Sequence, residues 1–86
     1  MSIIKQKNRL ERIDQILRQK NSGPSHEFAS KIGISRTTLM DILDELRTIG
    51  FPIVYNHASK NYEYEYDGRL IFSFVYKNSS MDIAKF

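Results

Sequence analysis

Two short segments of the chain carry side chains that could bind an anionic partner. Residues 35–38 read Ser-Arg-Thr-Thr, so that three hydroxyl groups surround one guanidinium, and a second polar segment holds His57, Lys60 and Asn61. Hydroxyl, amide and guanidinium groups donate hydrogen bonds to phosphate oxygens and to base edges in the grooves of a nucleic acid. The two segments therefore suggest nucleic-acid binding, provided that the fold presents them together.

Catalytic chemistry has no comparable candidate in the sequence. Ser25, His26 and Glu27 are consecutive residues at a predicted helix start, and such adjacency does not arrange a nucleophile, a base and an orienting group. The chain has no cysteine, which excludes thiolate nucleophiles and zinc sites built on cysteine pairs. His26 and His57 are each isolated from a second metal ligand. We therefore predict no enzymatic activity, no metal and no cofactor.

The charge of the chain is concentrated at its start. The formal net charge is +3, and residues 1–20 contribute +4 whereas the remaining 66 residues contribute −1. Lys5, Lys7 and Arg9 are accordingly predicted to contact phosphates, although a run of this kind can also be a solvated helix face. The absence of cysteine and of a secretory signal favours a cytoplasmic protein, and the apolar run 70–76 is too short to span a membrane.

Helical periodicity predicts three helices that would position these side chains. The first covers about residues 5–20, with Leu10, Ile13 and Leu17 on one stripe and Ile3 one heptad earlier. A break at residues 21–24 precedes a short second helix. Its predicted N-cap is Ser25, and its predicted end is Gly33 in the left-handed conformation.

The third predicted helix begins at the N-cap Ser35, runs to about Ile49 and is stopped by Gly50 and Pro52. Its core-facing stripe is predicted to contain Leu39, Ile42, Leu43, Leu46 and Ile49. Turning the helix by about 100° per residue leaves an outward face that consists of Thr37, Met40, Asp41, Asp44 and Thr48. A binding partner would meet this outward face.

Beyond Pro52 the pattern changes to the period of two that is typical of strands. Residues 53–55 predict one strand, residues 56–61 a polar loop, and the alternating Tyr62, Tyr64 and Tyr66 a second strand. Asp67-Gly68 favours a two-residue type I′ turn into a third strand over residues 69–77. Residues 1–77 are thus predicted to form one domain, followed by a tail at 78–86.

Both faces of the predicted third strand are apolar, so one face should pack against something outside the core. Leu70, Phe72 and Phe74 are predicted to form a homodimer interface, or to be covered by the C-terminal tail.

The spacing of four residues resembles the helix-turn-helix pattern of a small residue, a glycine and two aliphatic residues: Ala29, Gly33, Leu39 and Ile42. The resemblance extends over about residues 5–66 to the winged helix-turn-helix of the deoxyribose-repressor and biotin-repressor type. It is carried by Ser-Arg-Thr-Thr-Leu at 35–39, Leu46-Arg47 before Gly50, Phe51-Pro52-Ile53 and Asn61-Tyr62.

This resemblance implies an α+β winged-helix fold and a transcriptional regulator that binds double-stranded DNA. Helix 35–49 would lie in the major groove and loop 56–61 would form the wing. The resemblance places DNA contacts at Ser35, Arg36, Thr37 and Thr38, with His57, Lys60 and Asn61 at the wing tip. Met40 and Asp41 lie on the same predicted outward face, and Asp41 could accept a hydrogen bond from a cytosine amino group.

The predicted recognition helix departs from the family by being acidic, because residues 36–49 carry a net charge of −1. An i,i+3 pair between Asp44 and Arg47 would neutralise part of this charge. The alternative is a winged helix that binds a protein, in which Met40, Asp41 and Asp44 would meet a basic partner without contacting DNA.

Overall fold

The structure is a computed structural model that describes residues 2–72. It contains helices α1 (Ile3–Gln19), α2 (Ser25–Ile32) and α3 (Arg36–Thr48), followed by strands β1 (Ile53–Asn56) and β2 (Asn61–Tyr64). The two strands pair antiparallel. The predicted α+β layout, three helices followed by a small antiparallel sheet, is confirmed. Within residues 2–72, none of the helices has the length and apolarity needed to cross a membrane.

Helix α1 supplies one wall of the core. Ser2 caps its start by accepting a 3.2 Å hydrogen bond from the backbone N–H of Ile4, and the helix ends at Lys20 in the left-handed conformation. Ile13 and Leu17 are buried, as the periodicity predicts, and Ile16 is buried as well. The prediction was wrong for Ile3, which is 73% exposed because no described element covers the first turn of α1.

The turn between α2 and α3 forms as predicted. Gly33 has a φ of 86°, and the N–H of Ile34 donates to the carbonyl of Ala29 at 3.1 Å, which is the bond that closes a Schellman motif. Two residues later, the hydroxyl of Ser35 accepts from the N–H of Thr38 at 3.1 Å and caps α3. The glycine and the serine together fix the angle between the two helices.

The predicted cap of α2 was wrong. Pro24 occupies the N-cap position and its carbonyl accepts from the N–H of Phe28 at 2.9 Å, so Ser25 is already the first helical residue. The Ser25 hydroxyl instead accepts a 2.6 Å hydrogen bond from Nε of Arg36. A tertiary contact with α3 thus replaces the predicted local one.

The sheet presents its aromatic face to the helices. Tyr62 pairs with Tyr55 and Tyr64 pairs with Ile53, so these four side chains share one face, and Ile53, Tyr62 and Tyr64 are buried. Tyr66 does not continue the pattern. Strand β2 ends at Tyr64, and the Tyr66 side chain is exposed.

The chain after β2 does not form the predicted hairpin. Neither Asp67 nor Gly68 has the positive φ that a type I′ turn requires, and residues 69–72 are not a strand. The N–H of Leu70 instead donates to Oδ1 of Asp14 on α1 at 2.8 Å. A buried carboxylate on α1 therefore draws this segment away from β2. Residues 73–77 of the predicted strand, Phe74 and the tail 78–86 lie outside the described residues.

The core combines side chains from all five elements: Ile13, Ile16, Leu17, Phe28, Ala29, Leu39, Leu43, Leu46, Ile53, Tyr62 and Tyr64. The predicted inward stripe of α3 is thus confirmed for Leu39, Leu43 and Leu46. Ile42 is only half-buried, and the prediction was wrong for Ile49, which is 72% exposed. Both side chains line a groove that α1 and α3 leave open between them.

Candidate nucleic-acid interface

The first turn of α3 lies on the surface. Ser35, Arg36, Thr37 and Thr38 are all exposed. The hydroxyl of Ser35 also donates to Oγ1 of Thr38 at 2.9 Å, so these two hydroxyl groups are held together at the helix start. Arg36 and Thr37 are the exposed side chains of this turn that take no part in the hydrogen bonds between Ser35 and Thr38.

Arg36 is positioned by its contact with α2. Its Nε donates to Oγ of Ser25, which places the guanidinium beside the beginnings of both α2 and α3. Its two terminal nitrogens make no hydrogen bond to another of the residues 2–72. A guanidinium has five N–H donors, so four remain for an acceptor such as a guanine edge or a phosphate.

The loop between the strands is a tight turn over residues 57–60. The side-chain oxygen of Asn56 accepts from the N–H groups of Ala58 and Ser59 at 3.0 and 3.2 Å, and the N–H of Lys60 donates to the Asn56 carbonyl at 2.7 Å. His57 and Lys60 are exposed, and Lys60 has a positive φ of 59°. Asparagine is a typical first residue of such a turn, so Asn56 could have been identified from the sequence as the organiser of this loop.

A chain of side-chain contacts connects α3 with this loop. The hydroxyl of Tyr62 lies 3.9 Å from Sδ of Met40, the ring centres of Tyr62 and Tyr55 are 4.8 Å apart, and those of Tyr55 and His57 are also 4.8 Å apart, with the two rings nearly perpendicular. Met40 is half-buried by this packing, whereas the next residue, Asp41, is exposed. Arg36 and Thr37 lie four and three residues before Met40 on the same side of α3, so these contacts connect that side of the helix with His57 in the 57–60 turn.

Asn61 lies at the base of the turn and not at its tip. Its side-chain oxygen accepts a 2.8 Å hydrogen bond from the N–H of Gly23 in the loop between α1 and α2. Beside it, the N–H of Tyr62 donates to the fully buried hydroxyl of Ser22 at 2.7 Å. Asn61 and Ser22 thus tie the free edge of β2 to the helices, a role that no local sequence signal indicates.

The acidic side chains of α3 are partly neutralised. Asp44 forms the predicted ion pair with Arg47 at 3.0 Å, and Nε of Arg47 also donates to the carbonyl of Ile53 at 3.0 Å. Arg47 therefore fastens the end of α3 to the start of β1. Asp41 remains as the exposed carboxylate near the first turn, and Glu45 lines the groove on the α1 side.

The three cations predicted on α1 do not form one patch. Lys7 is paired with Glu11 at 2.9 Å and its ammonium lies 5.9 Å from the ring centre of Phe72. Arg9 lines the groove between α1 and α3, which has Thr38 on its opposite wall. Lys5 is exposed and, being four residues before Arg9, shares its side of the helix. Lys5 and Arg9 therefore lie on the α3 side of α1, whereas Lys7 faces the chain that follows the sheet.

Comparison with known proteins assigns no family to the chain. No protein-family model matches it, and no curated protein or solved structure gives a significant match.

The residues predicted to form a dimer interface are only partly described. Leu70 is half-buried, with its backbone held by Asp14, and Phe72 is half-exposed beside Lys7. Phe74 lies outside the described residues. The interface at Leu70, Phe72 and Phe74 therefore stays a prediction.

Proposed function

We propose that the protein is a transcriptional regulator of winged helix-turn-helix type that binds double-stranded DNA sequence-specifically. The start of α3 would lie in the major groove, and residues 57–60 would form a wing against the sugar-phosphate backbone. One observation carries this proposal: the contacts of Met40, Tyr62 and Tyr55 connect the side of α3 that carries the exposed Arg36 and Thr37 with the 57–60 turn.

The first turn of α3 has the side chains needed to read base edges. The major groove of B-DNA admits a helix, and the N-terminal residues of a recognition helix reach the bases first. The terminal nitrogens of Arg36 would donate to O6 and N7 of a guanine, because Ser25 occupies Nε. The Thr37 hydroxyl would donate to, or accept from, a neighbouring base.

Phosphate contacts would come from the rim of the same surface. Lys60 presents its ammonium at the wing turn. At the start of α2, whose N-cap Pro24 has no side-chain acceptor, the first backbone N–H groups suit a phosphate oxygen next to Arg36. These contacts would set the register of α3 on the duplex without reading sequence.

The acidity of α3 is compatible with this arrangement. The carboxylate of Asp44 is paired with Arg47, which reduces its repulsion of phosphates. Asp41 is the exposed carboxylate that would approach the bases, and it would accept from a cytosine amino group. A preference for cytosine next to the guanine that Arg36 reads is the expected signature.

Fluorescence anisotropy with a random-sequence duplex pool, followed by selection of the bound sequences, tests the proposal. The expected result is binding that weakens with rising salt, with a slope of about −0.9 per neutralised phosphate, and enrichment of one sequence in the bound pool. Failure to bind any duplex at low salt would contradict the proposal and favour the protein-binding alternative at Met40, Asp41 and Asp44.

One lysine variant and one arginine variant test whether DNA binds at the 57–60 turn. Lys60→Ala should weaken binding to all duplexes and reduce the salt slope by about 1. Arg69→Ala is the matched loss of a cation: Arg69 is exposed and lies beside Pro52, at the end of the sheet opposite the 57–60 turn. An equal effect of the two variants would show that binding is not localised at the wing.

A further inference from the structure

Ser25 and Arg36 are the first residues of α2 and α3, and their side chains join the two helix starts. Oγ of Ser25 accepts the 2.6 Å hydrogen bond from Nε of Arg36, and Ser25 is half-buried whereas Arg36 is exposed. A hydrogen bond from a charged donor is stronger than one between neutral groups. The contact therefore restricts a long side chain that an exposed position would otherwise leave free to sample many rotamers.

The chain just before Ser25 is fastened to β2. The N–H of Tyr62 donates to the hydroxyl of the fully buried Ser22 at 2.7 Å, and the N–H of Gly23 donates to Oδ1 of Asn61 at 2.8 Å. Both hydrogen bonds join residues at least 38 positions apart in the sequence. Ser25 is therefore held in place by the sheet, and its hydroxyl is a fixed acceptor for a side chain of α3.

The hydrogen bond with Ser25 leaves the end of the Arg36 guanidinium available. Guanine presents two acceptors, O6 and N7, in the major groove, whereas adenine presents one acceptor and one donor there. Two terminal nitrogens that donate together therefore fit guanine. Binding costs free energy for each side chain that it immobilises, and a side chain that is already restricted loses less freedom. This advantage goes to a duplex that places a guanine opposite Arg36.

We propose that Ser25 is a positioning residue that sets the preference of Arg36 for guanine, an inference that rests on the proposed DNA-binding function. Ser25 acts through Arg36 and makes no contact with DNA in this arrangement. It places a determinant of sequence specificity on α2, outside the helix that would lie in the major groove. Removing the hydroxyl leaves the charge of Arg36 and its place on α3 unchanged, so that specificity falls and general affinity is retained.

Fluorescence anisotropy with the selected duplex and with a random-sequence duplex of equal length measures this effect. Ser25→Ala should weaken binding to the selected duplex about two- to tenfold, the range for ordering one long side chain, and should affect the random duplex much less. Ser25→Thr keeps a hydroxyl at this position and should bind both duplexes as the unmodified chain does. Ser30→Ala, the matched loss of an exposed hydroxyl on the same helix, is the control and should change neither affinity.

An arginine background separates positioning from a direct contact. If Ser25 acts through Arg36, adding Ser25→Ala to Arg36→Ala should cost less than about a further twofold in affinity for the selected duplex. The full loss in both backgrounds would overturn the proposal. An equal loss on the selected and random duplexes would also overturn it, because Ser25 would then contact the DNA backbone itself.

Nuclear magnetic resonance of the protein without DNA tests the contact itself. The Nε–H proton of Arg36 should exchange with water faster in Ser25→Ala than in the unmodified chain or in Ser25→Thr, and equal exchange rates would overturn the proposal. Circular dichroism should be unchanged, since Pro24 and not Ser25 is the N-cap of α2. Failure to bind any duplex overturns the proposed function and this inference together. Specificity that is lost in Arg36→Ala but kept in Ser25→Ala overturns the inference alone.

Discussion

The hydroxyl of Tyr64 donates a 2.6 Å hydrogen bond to Oδ1 of the buried Asp14, joining the last residue of β2 to the middle of α1. The same oxygen accepts from the N–H of Leu70 at 2.8 Å, and the other carboxylate oxygen pairs with Arg18 at 3.0 Å. One carboxylate thus holds the sheet and the segment after it against α1. Because the 57–60 turn is carried by the sheet, this contact also helps to orient the proposed wing.

Tyr64→Phe should reveal this contact in the pH dependence of stability. Burial, followed by the hydrogen bond to Asp14, raises the pKa of the Tyr64 phenol above its ordinary value of 10.0. Above about pH 10 the unfolded chain loses this proton and the folded chain keeps it, so the stabilisation that Tyr64 contributes is present below pH 10 and falls as the pH rises. Phenylalanine has no such proton to lose.

Urea unfolding of the two proteins at about pH 8 and at about pH 11 measures the effect. At the lower pH, Tyr64→Phe should lower the free energy of unfolding by about 1.5 to 3 kcal/mol, the range for a hydrogen bond to a charged group. At the higher pH the difference should be smaller. A difference that is the same at both pH values would contradict the contact.

Asp14→Ala should be among the most destabilising substitutions outside the hydrophobic core. It removes the acceptor for Tyr64, Leu70 and Arg18 at once and should lower the free energy of unfolding by about 3 to 5 kcal/mol. Glu11→Ala, one turn earlier on α1, breaks an exposed pair with Lys7 and should cost less than about 1 kcal/mol. Equal costs at the two positions would show that Asp14 does not organise the contact between α1 and the sheet.

The parts of the fold that depend on local chemistry could be predicted from the sequence. Gly33 ends α2 through its left-handed backbone conformation, and Ser35 begins α3 by accepting a hydrogen bond from the N–H of Thr38, three residues later. Both features were predicted, and the structure has both. The ion pair of Asp44 with Arg47 was predictable for the same reason, because an i,i+3 spacing on a helix brings two side chains together.

The remaining features depend on contacts that are remote in the sequence. Asp67-Gly68 favours a tight turn locally, but the bond from Leu70 to Asp14 directs the chain elsewhere. Asn61 was a predicted wing-tip residue, yet its acceptor is occupied by Gly23, 38 residues earlier. Ile49 continues the apolar stripe of α3 but lies where α1 and α3 leave a groove, so periodicity predicts burial that the packing does not provide.

Two glycine substitutions test this account of the turns. Gly33 has a φ of 86°, a backbone conformation that costs an alanine about 1 to 2 kcal/mol, so Gly33→Ala should lower the free energy of unfolding by that amount. A steric clash should not add to this cost, because an added Cβ would meet no described atom within 4 Å. Gly68 has no positive φ, and its added Cβ would also meet no described atom. Gly68→Ala should therefore be neutral or slightly stabilising. Thermal unfolding of both variants measures these effects. Strong destabilisation by Gly68→Ala would contradict the absence of a positive φ at Gly68 and would favour the type I′ turn that the sequence predicts.

Asn61→Ala and Lys60→Ala should affect different properties. The asparagine variant leaves the N–H of Gly23 without its acceptor and should lower the free energy of unfolding by about 1 to 3 kcal/mol, while the salt dependence of duplex binding stays unchanged. The lysine variant should leave stability within about 0.5 kcal/mol, because Lys60 is exposed. Chemical unfolding and salt titrations on the same two proteins measure both effects. A reduced salt slope for Asn61→Ala would instead place Asn61 in the DNA contact.

The most direct measurement is the affinity of Arg36→Ala for the selected duplex and for a random-sequence duplex of equal length. If Arg36 reads a base edge, the variant should lose about 1 to 3 kcal/mol on the selected duplex and much less on the random one, so that specificity falls more than general affinity. Arg12→Ala, an exposed arginine of α1, is the control and should preserve the ratio of the two affinities. An unchanged ratio for Arg36→Ala would contradict the central claim that the first turn of α3 reads DNA sequence.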